Sequence, residues 1–427
     1  MAIEDYLGQE NVEQVSAETV LPEIQAERGV EDLELQPRAW CPSGSASGGI
    51  CAPARNERSS WMYRYRGNRS IGSLPIGEAV LPGTHNSGMD KKAPMTPSSE
   101  TTQDVPVYEQ LMAGIRVLDL RVEFFAGVSN PRRFSIYHST NNGRTVEVDV
   151  LDALLHYRRS AGADNEIIIL NFHLFRRFTD AAHDELANLI ERKLGHSIVP
   201  VSCRTASVSQ LWALNKNTVI AYNHGRRPRL FWEGVEQRWI GSNTPTNSQM
   251  AKFIRGVGQE SKTFGALKSV QAAYYSLPFF TPKDLSQDLM GWFAAGNSAS
   301  PIQGHYIINT DWSLRQRLVD NVIFANGVRA EQRGAHVTYS SPRTSGARIQ
   351  TRSYGIFEMV DGDWSQDLSF AVNDSSSTSI QVIRSDATYM SELTLGNGSK
   401  LEIKKGDRLV FRVPSYGPAQ LVERFTT

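Results

Sequence analysis

From Trp61 to Val328 the chain alternates between short apolar runs rich in β-branched and aromatic residues and stretches whose apolar positions recur every three or four residues. Helical spacing puts Val150, Leu151, Leu154 and Leu155 on one stripe over residues 149–159. It does the same for Leu186, Leu189 and Ile190 over 182–194, stopped by Gly195, and for Leu318, Val319, Val322 and Ile323 over 314–326, stopped by Gly327. Between these lie strand-like runs: Val80-Leu81, Gly114 to Phe125, Phe134 to Tyr137, Glu166 to Phe172 and Tyr306 to Thr310. Strand following helix over about 270 residues predicts an α/β fold with a parallel sheet closed into a TIM-type (β/α) barrel, or a distorted version of it. A doubly wound open sheet is the alternative, and it too gathers loops at the carboxyl ends of its strands.

The pattern changes on either side. Residues 1–55 are polar and acidic with scattered apolar positions and read as an arm or leader; the barrel is assigned to 56–333. From 334 to 427 no helix-period stretch competes with short mixed runs such as Ile349 to Tyr354, Thr378 to Ile383 and Leu409 to Val413. Turn signals at Asp361-Gly362, Gly396-Asn397-Gly398 and Lys405-Gly406-Asp407 separate them, so a C-terminal all-β, sandwich-like domain is expected.

Candidate chemistry sits where the apolar runs stop. Pro82-Gly83 breaks the first run and is followed by Thr84, His85, Asn86, Ser87 and Gly88. That presents an imidazole in a loop of small residues, unless His85 is a turn histidine. His138 follows the run Phe134 to Tyr137, His173 closes Glu166 to Phe172, and Asp311 follows Tyr306 to Thr310. In the run from Gly114, Asp119, Arg121 and Glu123 recur with period two and so share one strand face. Charges on such a face either pair with one another or line a polar site, because an unpaired buried charge costs several kcal/mol.

These residues in combination resemble the X-type catalytic domain of bacterial phosphatidylinositol-specific phospholipase C. The resemblance rests on Leu81 to Gly88, Asp119-Leu120-Arg121, His138, and Glu166 to Asn171, and extends over about residues 60–330. It favours the barrel and implies an enzyme that cleaves phosphatidylinositol, or a glycosylated relative, to diacylglycerol and inositol 1,2-cyclic phosphate. By that resemblance His85 is the base for the inositol 2-hydroxyl, Arg121 holds the phosphate, and His138 is the acid for the leaving oxygen. Asp311 orients His85, and Asp119 stands beside Arg121. Arg suits its part because its planar fork stays charged and takes two phosphate oxygens at once. Each residue also has a structural reading: a strand-face ion pair for Arg121, a helix N-cap for Asp311, and packing for His138.

The resemblance is to the branch that needs no metal and no cofactor, since calcium-dependent relatives carry acidic residues where this chain has Arg121 and His173. Two positions depart from that branch. Asn86 stands where an aspartate is usual, and His173 where a lysine is usual; both are assigned here to substrate contact, His173 against a core histidine. Two rivals follow: a metal-dependent glycerophosphodiesterase-like enzyme, and a catalytically silent lipid- or glycan-binding protein.

Composition narrows the setting. Lys+Arg and Asp+Glu both total 45, so no basic excess steers the chain to nucleic acid. The expected partner is a membrane surface containing phosphatidylinositol, touched transiently. Phe279-Phe280, set between Pro278 and Pro282, are the favoured interfacial aromatics over Phe231-Trp232 and Trp239. A glycan or protein partner is expected of the C-terminal domain. The three cysteines form no metal-binding spacing, although Cys41 and Cys51 flank a Gly/Ser loop and are a candidate pair in an oxidising compartment. The N-terminus lacks the charge and apolar regions of a Sec signal, and no run is long enough to span a bilayer. The expected location is therefore cytoplasmic, or outside by a non-Sec route.

Overall fold

The structure, a computed structural model, describes residues 55–64 and 71–332, apart from 205, 261, 263–264 and 298, together with strand segments between 337 and 425. Residues 1–54 of the expected arm, with Cys41 and Cys51, lie outside the described residues.

The first strands are β1 (Leu81–Thr84), β2 (Val117–Phe124), β3 (Phe134–Tyr137), β4 (Asn141–Thr145), β5 (Ile168–Arg176) and β6 (Thr218–Tyr222). They are followed by β7 (Trp232–Glu233), β8 (Glu236–Arg238), β9 (Lys268–Ala272), β10 (Tyr275–Ser276), β11 (Thr281–Pro282) and β12 (Ile307–Thr310). Eight of them form a parallel path in the order β7-β6-β5-β2-β1-β12-β9-β8. The strand nearest the start of this path in sequence, β1, pairs with the last, β12, and the others follow in chain order on either side. A doubly wound sheet does not pair its first and last strands in this way, whereas a barrel must. The sheet is a barrel in order but not fully closed, because the path ends at β7 and β8 without a ladder between them.

Helices α1 (Trp61–Arg64), α2 (Val107–Met112), α3 (Ala153–Tyr157), α4 (Asp180–Leu194), α5 (Val208–Ala213), α6 (Asn247–Gln259), α7 (Ser286–Trp292) and α8 (Leu318–Gln332) fill the connections. In α4 the expected stripe is buried, with Leu186, Leu189, Ile190 and Leu194 all inside, and Thr179 caps its start by accepting from the Ala182 amide. The helix expected over 149–159 begins earlier, as a π-helical stretch Val146–Asp152 running into α3, and the last begins later, at Leu318. Helices α1, α2, α5, α6 and α7 went unread. Both α5 and α6 open on capping boxes, Ser207 with Gln210 and Thr246 with Gln249.

Two strand expectations need correction. His138 does not end a barrel strand: β3 and β4 form an antiparallel hairpin that lies on the outer half of β2. His173 lies inside β5 rather than past its end. Phe231 and Trp232 are buried and supply core, not an interface. Close packing demands glycine at two places here: a Cβ at Gly83 of β1 would lie 2.0 Å from Asn309 Oδ1, and one at Gly88, in the turn that follows, 2.8 Å from Ile136. Beyond residue 337 the described residues are strand segments, of which Tyr354–Met359, Thr378–Ile383, Arg408–Val413 and Gln420–Phe425 run side by side in one sheet.

One ion pair ties the amino-terminal segment to the barrel. Arg116 and Glu166, both 0 % exposed, meet through Nε and Oε2 at 2.8 Å. Glu166 also accepts from the Met62 and Tyr63 amides, and Arg116 donates to the carbonyls of Arg58 and Ser59. Glu166 was read above within a functional motif; here its work is structural. Replacing Arg116 by Met leaves the carboxylate buried and unpaired, so denaturant unfolding of R116M should show a loss of ~3–5 kcal/mol. A change below about 1 kcal/mol would mean the segment is held some other way.

Candidate active site

The carboxyl ends of β1, β2, β5 and β12 bring the candidate residues together. The turn after β1 is fixed first. Thr84 Oγ1 donates to Ser87 Oγ at 2.6 Å, and Ser87 Oγ accepts from the Asp119 amide of β2 at 2.7 Å. Asn86 takes a left-handed backbone, φ 45°, which Asn tolerates better than most residues. The outcome is a rigid loop that aims His85 toward the end of β12.

There His85 Nδ1 lies 2.8 Å from Asp311 Oδ1. A carboxylate at Nδ1 selects the tautomer with its proton on that nitrogen, leaving the Nε2 lone pair as acceptor. In the free site that lone pair meets the Asn86 side-chain amide at 3.1 Å. Burial pushes the Asp311 carboxyl up from its ordinary value, and the charge of His85 is the main influence opposing it. The N-cap alternative for Asp311 is not adopted: the 3-10 turn Ser313–Arg315 has no side-chain cap and begins after Trp312.

Asp119 is 1 % exposed in the barrel interior. Its carboxylate lies 2.5 Å from His173 Nδ1, and accepts from Gln237 Nε2 of β8 at 3.1 Å, from the Asn86 amide at 3.4 Å and from Asn171 Nδ2 at 3.5 Å. Burial alone raises its pKa, yet His173 above all, with His85 and Arg121, holds it well below the usual carboxylate range. The strand-face ion pair open to Arg121 does not form. Glu123 pairs with Arg176 and Arg177, Asp119 lies in close ion-pair contact with His173 Nδ1 although that nitrogen is not directed for a hydrogen bond, and Arg121 keeps a buried Nε with no hydrogen-bond partner.

His138, at the hairpin turn, belongs to the same cluster. Its Nε2 lies 3.4 Å from the Tyr275 hydroxyl, its Nδ1 3.4 Å from Ser139 Oγ and 3.9 Å from Glu100 Oε2. Burial, then the charges of Arg121, His85 and His173, push the imidazole well below its ordinary value. Glu100 accepts from the Ser139 and Thr140 amides and so fixes the turn that carries His138. Sequence reading missed Glu100, Tyr275 and Gln237. Nothing local marks them, because each comes from a loop or short strand remote in the chain. Among the described residues no group of three or more His, Cys, Asp or Glu could hold a metal ion.

No family model matches the chain. PI-PLC X domain-containing protein 2 of Homo sapiens is 25% identical over 228 residues, covering 47% of this chain and 72% of the relative. PI-PLC X domain-containing protein 1 of Mus musculus is 30% identical over 179 residues, 40% of this chain and 50% of the relative. The chain resembles PI-PLC X domain-containing proteins. Its alignment thus spans about half the length of the mouse relative. Among solved structures, phosphatidylinositol-specific phospholipase C from Staphylococcus aureus covers 64% of this chain and 98% of its own, with TM-score 0.49 and 12% identity. That from Listeria monocytogenes covers 63% and 98%, with TM-score 0.46 and 17% identity. The sequence relatives are mammalian, whereas the motifs were read as bacterial in type.

The cluster makes a testable statement about His138. A folded imidazole depressed below the unfolded value of about 6.5 stabilises the fold above that pH, and this contribution is lost as pH falls toward the folded value. An anion in the site opposes the positive charge of Arg121 and raises that value. Nuclear magnetic resonance of the ring nitrogens should therefore find His138 neutral in mildly acidic buffer. Its titration should move upward on adding inorganic phosphate, and upward again in R121Q. A downward move in R121Q would show that Arg121 does not act on this ring.

Proposed function

We propose that the chain is a metal-independent phosphatidylinositol-specific phospholipase C, with a substrate that is phosphatidylinositol or its glycosylated relative. The observation that carries this reading is Arg121: a buried guanidinium nitrogen without a partner, in one cluster with an aspartate-oriented imidazole and a second, neutral one. Such a donor is unfavourable unless a ligand completes it, and a phosphate oxygen does so with charge as well as geometry. The sequence relatives support the same substrate class.

On this reading His85 Nε2 takes the proton of the inositol 2-hydroxyl, whose oxygen forms the new bond to phosphorus. The bond to the diacylglycerol oxygen breaks, and His138 supplies its proton. Burial and the neighbouring positive charge hold the His138 imidazole well below its ordinary value, so it acquires that proton as the phosphate arrives. Glu100 is the carboxylate placed to support the charge, where Asn86 cannot. Asn86 instead bonds His85 and must yield the lone pair to the substrate hydroxyl. This last contact favours the second reading, a silent lipid-binding protein, in which Asn86 never yields.

The membrane contact falls to the β10–β11 hairpin. Its tip exposes Leu277 at 64%, Phe279 at 79% and Phe280 at 50%, while Tyr275 at its base reaches His138.

With phosphatidylinositol in vesicles and excess chelator, the chain should release inositol 1,2-cyclic phosphate. H85A and H138A should each lower turnover by about 10²–10⁴. Binding without release in the unaltered chain would establish the silent reading, and loss in chelator the metal-dependent one. A second measurement isolates the tip: with Phe279→Ser and Phe280→Ser together, vesicle co-sedimentation should fall by about tenfold or more while turnover of a water-soluble inositol phosphodiester is kept. Equal co-sedimentation of the two proteins would remove the hairpin from the interface.

A further inference from the structure

We propose that His173 is a positioning residue: it occupies the Asp119 carboxylate and so leaves Arg121 free for phosphate. This rests on the reading of the site as phosphate-binding, and it replaces the substrate contact implied for His173 by resemblance.

A carboxylate and a guanidinium two residues apart on one strand face are natural partners, and an arginine so paired offers fewer donors to a ligand. In this barrel the pairing is prevented by supply from the other side. Asp119 Oδ1 is met by His173 Nδ1 at 2.5 Å and Gln237 Nε2 at 3.1 Å, with Asn171 at 3.5 Å, while Oδ2 receives the Asn86 amide at 3.4 Å. Of these groups only His173 can carry a positive charge. The backbone is arranged to deliver it. In the ladder between β2 and β5, Leu120 pairs with Phe172 but Arg121 pairs with Leu174, so His173 is the additional residue of a bulge. A bulge re-aims the side chain it carries. Asn223, just past β6, pins this one by donating to the His173 carbonyl at 3.1 Å.

The charges that surround the pair are Arg121 on β2, His85 after β1 and His138 after β3. His85 has its own carboxylate in Asp311 and His138 lies 3.9 Å from Glu100, so Arg121 and His173 are the groups that compete for Asp119. Without a cation at 173, the nearest guanidinium is the one that turns to Asp119. Binding of phosphate then has to break an internal ion pair first.

The test uses the full chain and two variants, H173Q, which keeps a hydrogen-bond donor without charge, and H173K, which keeps the charge. Affinity for inorganic phosphate is read by calorimetry, and turnover is read on phosphatidylinositol in phosphatidylcholine vesicles. H173Q should bind phosphate about tenfold more weakly, with the loss in turnover falling mainly on KM. H173K should stay within about twofold of the unaltered chain near neutrality. Unchanged phosphate affinity in H173Q overturns the proposal. Equal weakening in both variants also overturns it, because the ring rather than its charge would then matter. If the unaltered chain neither binds phosphate nor releases product, or if R121Q binds phosphate as well as it does, the functional reading itself is lost.

Discussion

A carboxylate buried in the middle of a barrel has to be matched by charge, and in this chain the matching of Asp119 sets the arrangement around it. At about 4 Å in a medium of low effective dielectric an unscreened pair interacts by several kcal/mol, so no neighbour of Asp119 is electrostatically indifferent to it. Strands β1, β2, β5 and β8 each send a group to it or to its immediate surroundings. The carboxylate stays ionised although burial opposes this, and the influences that keep it so are the imidazole of His173 first, then His85 and Arg121. The positive groups in turn set the state of His138. Asp119 therefore stands at the centre of a cluster in which Asp311 serves His85 and Glu100 lies beside His138, and Arg121 is the cation whose Nε has no hydrogen-bond partner.

Closure of the sheet is what allows so few residues to do this. His85 and Asp311 stand 226 positions apart in sequence and meet because β1 and β12 are hydrogen-bonded neighbours, with Gly83 opposite Asn309 and Thr84 opposite Thr310. The orienting carboxylate therefore depends on the barrel being joined at β1 and β12. The unlatched side, between β7 and β8, is elsewhere on the circuit, yet Gln237 of β8 still reaches Asp119 of β2 across the interior. That contact runs through the barrel, not along it.

What could be read in advance follows the range of the interactions. The runs that became β1, β2, β5 and β12 were legible because each carries its own signal, an apolar stretch with a polar residue at or just past its end. Strand order was legible only by way of the alternation with helices. The hairpin of β3 and β4 was not, since a short apolar run looks alike whether its partner is parallel or antiparallel, and His138 was accordingly placed on the wrong kind of element. His173 shows the sharper limit. Its presence at the end of an apolar run suggested a loop at the barrel mouth, but a one-residue bulge kept the strand going to Arg176 and turned the ring to Asp119. Local sequence does not encode a register slip that depends on the neighbouring strand. Glu100 and Tyr275 illustrate the remaining gap: both act on His138 from segments whose own sequence has no reason to look functional.

The same hairpin that brings Tyr275 to His138 carries the exposed tip, and its anchoring makes the two features mechanically one. Tyr275 and Ser276 pair with Pro282 and Thr281, and the Tyr275 and Phe280 rings lie 6.5 Å apart. On the other side Trp312, next in sequence to Asp311, donates from its indole to the Pro282 carbonyl at 3.0 Å. Each base of the hairpin is thus attached to the immediate neighbourhood of one of the two imidazoles, His138 through Tyr275 and His85 through the Trp312–Asp311 step. Exposed aromatic surface of this size is normally covered by a partner when the protein works. Whatever covers the tip pushes on a short, two-stranded element with no slack between its ends. The tip at Phe279 and Phe280 is therefore joined by a short two-stranded element to the elements that carry both His138 and His85.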